Sequence, residues 1–328
     1  MHALVTGAAG FIGSQLCRSL IERGWKVVGI DNLSSGTLDN LAAVPLTFVQ
    51  ADVAAGLDQC GADRFDVIFH LAARVGPTYV VHDRSGLLRE HAVNTLAVIS
   101  AAERMGARVV FTSSSEVYGC NTTTPFREDD ALTLGAPSHP RWAYAASKLW
   151  CEHAILAWSE ERGGGGVIAR LFNTVGARQS HTSGFVLPAF ARAALMDERL
   201  EVHGDGNQRR SFTHVDDSVR ALIALAECDR AAGMIVNVGT SEEKSIRQVA
   251  GDVSAHVASR YGCGGRLDLV PWTRVPERPS NMDVRLPDVS RLEALTGIRF
   301  ADRWPDILAD VCAWQARLLG LVPTAEVA

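Results

Sequence analysis

Lysine is almost missing from this chain. Of 32 basic residues only three are lysine, at 26, 148 and 244, and the other 29 are arginine. No run of like charge accompanies the net charge of −5, which argues against nucleic acid as the main partner. The seven cysteines (17, 60, 120, 151, 228, 263 and 312) are scattered, with no Cys-x-x-Cys pair, and the ten histidines show no His-x-x-x-His spacing. Neither a disulfide framework nor a metal site follows from that pattern. No apolar run reaches membrane-spanning length, and a first strand starting at Ala3 leaves no room for a secretion signal. No membrane partner is expected, and the cytoplasm is the expected compartment. No internal repeat and no low-complexity tract is present.

What is present begins at once. Ala3-Leu4-Val5 is a short apolar run, followed by Thr6-Gly7-Ala8-Ala9-Gly10-Phe11-Ile12-Gly13-Ser14 and by Leu16 and Leu20 at helical spacing. A second apolar run, Lys26 to Ile30, ends on Asp31. Strand, glycine-rich turn, helix, strand and acid make one βαβ unit with a phosphate-binding corner. Gly7, Gly10 and Gly13 allow a tight turn and a close approach to a pyrophosphate. The N–H groups of the first helical turn, at Phe11, Ile12 and Gly13, point at the phosphate oxygens. Asp31 is placed to accept from an adenosine ribose and would repel a 2′-phosphate. Asn32 and Leu33 offer no compensating cation, so NAD is favoured over NADP.

Three further stretches carry chemistry. Phe65 to Ala73 reads as a buried strand whose Leu71-Ala72-Ala73 end lets a dinucleotide lie across it; His70 reads as a packed, hydrogen-bonded histidine. Arg108 to Phe111 is a strand running into Thr112-Ser113-Ser114-Ser115-Glu116. Arg141-Trp142-Ala143-Tyr144-Ala145-Ala146-Ser147-Lys148 opens a helix, and Tyr144 and Lys148, at i and i+4, project from one face of it. An ammonium beside a phenol, with a positive nicotinamide ring, lowers a pKa that is otherwise near 10, so the phenolate can accept a hydroxyl proton. Ser114 would hold the same hydroxyl.

The Gly-x-x-Gly-x-x-Gly spacing, the Asp31-Asn32-Leu33-Ser34-Ser35-Gly36 segment and the Ser114, Tyr144, Lys148 set resemble the extended short-chain dehydrogenase/reductases. The whole chain resembles their NAD-dependent epimerase/dehydratase family. That resemblance implies a Rossmann-like, doubly wound parallel sheet over 1–173 and 214–258, with a smaller nucleotide-sugar-binding domain from 174–213 and 259–328. It adds Asn32, Ser35, Gly36, Asp52, Val53 and Asn94 to the cofactor site. It places Ser115, Asn173, Arg210 and Arg278 on the substrate, the two arginines on its diphosphate, where guanidinium forks match phosphate geometry. It also implies a homodimer through the helix at about 88–105, with Leu96, Val98 and Ile99, and the Tyr144 helix, with Leu149, Trp150, Ile155 and Trp158.

Members of this family oxidise a nucleoside-diphosphate sugar at C4 to a transient ketone. The expected reaction is UDP-sugar 4-epimerisation. The alternative is a dehydratase, decarboxylase or 3/5-epimerase in which Glu116 acts as a base, because Ser114-Ser115-Glu116 is closer to those enzymes. A plain alcohol dehydrogenase would share the N-terminal turn and Tyr144/Lys148 without needing Arg210.

Overall fold

The computed structural model describes residues 1–60, 64–76, 83–181, 184–274 and 284–324. Its centre is a seven-stranded parallel sheet. In chain order the first six strands are β1 (His2–Thr6), β2 (Lys26–Asp31), β3 (Thr47–Gln50), β4 (Val67–His70), β5 (Arg108–Ser114) and β6 (Gly166–Leu171). The spatial order is Ile235–Val238, β6, β5, β4, β1, β2, β3. The order reverses between β1 and β4, and open parallel sheets bind ligands at the carboxyl ends of such a switch point. This is the doubly wound arrangement that the family resemblance implies.

Both faces of the sheet are covered, so its strands are apolar on both sides. In β1, Ala3 and Val5 join one cluster while Leu4 joins the other. In β5, Val110 takes the first side and Val109 and Phe111 the second. That alternation is the period of two along a strand. The first face is packed by the helices Phe11–Glu22 and Val215–Glu227, the second by Val53–Gln59, Arg84–Met105 and Trp142–Arg162.

A second, smaller core lies beyond the strand ends. Leu187 and Phe190 of the helix Val186–Leu195 meet Val249 and Val253 of Ile246–Tyr261 and Ile307 and Val311 of Trp304–Leu318. The boundary drawn from sequence at 258 puts Ile246–Tyr261 with the nucleotide domain. The packing puts its apolar face in the cap, while Leu292, from the 259–328 segment, is buried in the sheet-side cluster. We propose the cap boundary follows these two cores: a helix goes with the lobe that covers its apolar stripe, whichever lobe precedes it in the chain.

The polar composition of Gly204-Asp205-Gly206-Asn207-Gln208-Arg209-Arg210-Ser211-Phe212 suggests a turn, but part of it is a strand. Arg209–Ser211 is a strand, antiparallel to Glu243–Ser245 and parallel to Val284–Arg285. Both partners lie far away in sequence, so the local polar pattern carries no trace of the pairing. The register sets Arg285 opposite Arg210.

Candidate active site

The phosphate corner is built as its glycines require. Gly7 has φ +74°, and a Cβ there would come within 2.8 Å of the Ala72 backbone nitrogen. A Cβ on Gly13 would overlap the Gly7 carbonyl. Gly10 caps the helix Phe11–Glu22 without any side-chain hydrogen bond, so the N–H groups of the first turn are left for an anion. At the tip of β2, Asp31 accepts from the Ala9 N–H (3.0 Å) and the Leu33 N–H (2.8 Å). Those bonds aim the carboxylate while leaving lone pairs on both oxygens. Burial raises the Asp31 pKa, and the two N–H donors oppose that rise. Asn32 donates to Asp52 (2.7 Å), tying β2 to the residue after β3.

A cleft of about 520 Å³ runs from this corner across the carboxyl ends of the strands. Every cofactor residue expected from the sequence lines it except Gly36, which packs its backbone against Ala9, where Thr37 N–H meets the Ala9 carbonyl (3.1 Å). The Leu71-Ala72-Ala73 end is held by Thr6, whose Oγ1 accepts from the Ala72 N–H (3.2 Å) and lies 2.8 Å from His70 Nδ1. His70 is fully buried and pushed down to about 3 by burial, with the Lys148 charge adding to it, so it is a neutral packing residue. A cradle closed to any Cβ, an uncapped helix start and a carboxylate at the tip of the second strand fit a dinucleotide.

At the other end of the cleft, Ser114, Ser115, Glu116, Tyr144, Lys148 and Asn173 share its wall. Tyr144 is hydrogen-bonded to Ser114. Lys148 donates to the Thr112 carbonyl (2.9 Å), with its ammonium 6.0 Å from the Tyr144 ring centre. Burial lowers Lys148 to about 8. Burial also raises the Tyr144 phenol above its ordinary value; Ser114 lowers it, and the Glu116 charge raises it further. Lys148 alone therefore does not bring the phenol into the neutral range, and the expectation counted a positive nicotinamide ring beside it. A further positive charge is required.

Glu116 is the centre of a cluster that the sequence does not reveal. Its Oε1 pairs with Arg285 at 2.7 Å and its Oε2 with Arg141 at 3.5 Å. Burial raises the Glu116 pKa, but Arg285 and then Arg141 outweigh it, and the carboxyl stays below its ordinary value. An ionised, doubly held carboxylate is a weak proton acceptor, which disfavours the general-base role considered for Glu116. Arg285 and Arg141 both line the cleft and were not singled out from sequence. Arg141 had a legible signal, since it stands three residues before Tyr144 and so on the same helical face. Arg285 had none, being 169 residues from Glu116.

The remaining expected residues separate. Asn173 donates to the Ser211 carbonyl (2.9 Å) and faces the cleft. Arg210 is not on the cleft wall; it donates to the Arg209 carbonyl (2.7 Å), and its charge reaches Glu116. Arg278 lies outside the described residues. Among the described residues no group of His, Cys, Asp and Glu could hold a metal, and no helix is long and apolar enough to cross a membrane.

The comparisons with known proteins agree with this geometry. The model of the NAD dependent epimerase/dehydratase family matches residues 3–239. The chain is 34% identical over 322 residues to a UDP-N-acetyl-alpha-D-glucosaminuronate decarboxylase of Bacillus cytotoxicus, covering 95% of this chain and 97% of that one. It is 31% identical over 298 residues to UDP-glucuronic acid decarboxylase 1 of Danio rerio, covering 90% and 68%. It superposes on a UDP-N-acetylglucosamine 4-epimerase from Methanobrevibacter ruminantium with TM-score 0.86 and 30% identity, over 97% and 98% of the two chains. A UDP-glucuronic acid 4-epimerase from Bacillus cereus, solved with UDP-glucuronic acid and NAD, gives TM-score 0.82 and 25% identity over 97% and 100%. With its dinucleotide corner, its Ser114–Tyr144–Lys148 set and these relatives, the chain belongs to the NAD-dependent epimerase/dehydratase family and is an NAD-using enzyme.

Proposed function

We propose that this enzyme decarboxylates a UDP-hexuronate, and not the 4-epimerisation first expected. The observation that carries the acid-sugar part of this reading is the Arg141–Glu116–Arg285 cluster on the cleft wall that Tyr144 shares, and the loss of CO₂ rests on the relatives. Two guanidiniums around one carboxylate leave net positive charge where the sugar would lie, which suits an acid sugar and serves no purpose for a neutral one. The decarboxylases among the relatives support the same reading.

Bound NAD supplies a hydride acceptor and donor, and its oxidised ring supplies the positive charge that Tyr144 lacks. The protein's own part is to hold and move protons. Tyr144, as phenolate, takes the proton of the C4 hydroxyl while Ser114 holds that oxygen. With the C4 hydride taken up by the bound NAD, the resulting C4 ketone would stand β to the C6 carboxylate. The C5–C6 bond breaks, CO₂ leaves, and the electron pair passes into the ketone as an enolate. Arg141 and Arg285 hold the C6 carboxylate until that bond breaks, and Ser114 and Tyr144 hold the oxygen on which the enolate charge develops. C5 takes a proton from solvent, C4 regains hydride, and Tyr144 returns its proton to the C4 oxygen. Overall, UDP-hexuronate plus one proton gives UDP-pentose plus CO₂.

The test is incubation with UDP-glucuronate, its N-acetylglucosaminuronate analogue and neutral UDP-sugars in D₂O. The expected product is lighter by one CO₂ and carries deuterium at C5. A 4-epimerase remains the second reading, favoured by the solved epimerases of high structural similarity. It would return a product of unchanged mass with no deuterium on carbon, and that result would replace the decarboxylase reading.

We also propose a homodimer, in altered form. Val98, Ile155 and Trp158 are buried within the chain's own core and are not available for pairing. Leu88, Leu96 and Trp150 on the same two helices are exposed and remain for a partner copy. A monomeric mass by light scattering at micromolar concentration would dismiss it.

A further inference from the structure

Tyr144 is the third residue of the helix Trp142–Arg162, and no side chain caps that helix start. The first turn of a helix has no intrahelical partners for its N–H groups and is where helices fray, yet a base must keep its oxygen in place. The neighbouring helix Arg84–Met105 is firmer at its start, where the Asp83 side chain accepts from the Gly86 N–H (3.0 Å). From that helix His91, almost fully buried, reaches the Tyr144 turn in two ways. Its ring meets the Tyr144 ring edge-on, with centres 5.9 Å apart and planes at 74°. Its Nδ1 lies 2.8 Å from Ser147 Oγ. The one Ser147 hydroxyl proton goes to the Tyr144 carbonyl (2.8 Å), so the His91 Nδ1–H is the donor to Ser147. Cys151, one turn beyond Ser147, adds a tie by donating to the His91 carbonyl (3.6 Å).

We propose that His91 is a positioning residue for Tyr144, a clamp that keeps the phenol on Ser114 through the ring contact and the Ser147 bond. This rests on Tyr144 as the base that takes the C4 proton, whichever sugar carries it. His91 does not line the cleft, so it acts only through the turn it holds. Its details do not suit a residue kept for stability. The other ring nitrogen, Nε2, is buried and makes no hydrogen bond among the described residues, which costs folding free energy. Burial, with the Lys148 charge adding to it, pushes the ring down to about 2, and the Arg74 backbone only partly offsets this. The imidazole is therefore neutral and forms no ion pair. A leucine would fill the space without a stranded nitrogen, but it could neither donate to Ser147 nor present a ring edge to Tyr144.

The chain holds four tyrosines, so NMR of NAD-loaded enzyme labelled at the tyrosine Cζ can follow the phenol directly, with Tyr144→Phe assigning its resonance. His91→Leu should move the Tyr144 titration up by about one pH unit, because the phenol leaves the Ser114 bond that lowers it. Its melting temperature should match the parent's. Turnover of UDP-glucuronate should fall about tenfold in kcat at unchanged KM, in step with the phenolate fraction. Ser147→Ala keeps the ring contact and should give a smaller shift. His91→Asn, which can set an amide N–H where Nδ1 stands, should recover part of the loss. A titration unmoved in both His91→Leu and Ser147→Ala would overturn the clamp. So would a shift that comes with a lowered melting temperature and is not recovered by His91→Asn, since that is a general loosening of the helix. A Tyr144 resonance that titrates no lower than the other tyrosines in the parent would instead remove Tyr144 as the base, and the clamp with it. Failure of UDP-glucuronate to turn over would count against the hexuronate reading alone, and the titration would still decide the role of His91.

Discussion

One helix, Trp142–Arg162, joins two arginine–carboxylate clusters of opposite character. At its start, Arg141 shares Glu116 with Arg285, unevenly and open to the cleft. Two turns beyond Tyr144, Glu152 holds Arg170 through Nε (3.0 Å) and Nη2 (2.8 Å), with both side chains only 2% exposed. The sealed cluster is also fully satisfied. Ser113 donates to Glu152 (2.5 Å), Arg170 Nη1 to the Glu128 carbonyl (3.2 Å), and Tyr118, under the Arg170 guanidinium, donates to Asn237 (2.7 Å). Neighbouring serines of β5 serve the two sites, Ser113 the sealed one and Ser114 the open one. The same ion pair thus does two jobs. Where every donor is matched and water is excluded, it fixes the helix against β6. Where the geometry is lopsided and faces a cavity, it leaves an uneven charge on the cleft wall.

Four substitutions would break or sharpen that contrast. Tyr144→Phe lies between the clusters and should lower kcat by about 10²–10⁴, the contribution of one general base. Its melting temperature should match the parent's, because the ring's packing survives. Activity within tenfold of the parent would remove Tyr144 from the chemistry.

Glu152→Ala should cost about 3–5 kcal/mol in unfolding free energy, since it strands a buried guanidinium. Chemical denaturation measures it. Replacing both partners, Glu152→Leu with Arg170→Met, should recover most of the loss, as well-packed apolar pairs do. No recovery would mean the network around Arg170 matters beyond the pair.

Lys148 gives a pH signature. Burial lowers its pKa from 10.5 to about 8, so the fold disfavours the ammonium. That penalty is fully present below pH 8 and is relieved as pH rises from about 8 towards 10.5. Lys148→Met should therefore gain stability relative to the parent below pH 8 and lose that gain towards pH 10, less what the lost bond to the Thr112 carbonyl contributes, while turnover is lost. Thermal melts of variant and parent across that range decide it; a variant less stable at pH 7 would contradict it.

Glu116→Gln should change stability less than Glu152→Ala, because the Glu116 side chain is partly solvated and the amide oxygen can still accept from Arg285. A loss as large as that at Glu152 would show the open cluster to be structural and erase the distinction.

Local pattern made much of this legible. The βαβ corner is contiguous, so Gly7, Gly13 and Asp31 could be placed from spacing alone, and Asp31 stands where that spacing puts it. Tyr144 and Lys148 are one helical turn apart, and helix geometry obliges them to share a face. Arg141 obeys the same rule, but an arginine at a helix start carries no local pattern that separates it from a solvated charge.

By itself the sequence determined whatever a single turn or strand enforces: the dinucleotide corner, the apolar alternation of the buried strands and the Tyr144–Lys148 face. Tertiary structure alone decided the rest. It brought Arg285 to Glu116 across 169 residues through a strand pairing with Arg209–Ser211. It moved the Ile246–Tyr261 helix to the cap core and kept Arg210 off the cleft wall. Charge pairs and lobe boundaries depend on which distant surfaces meet, and the energy that selects them is burial summed over the whole chain, which no local period records.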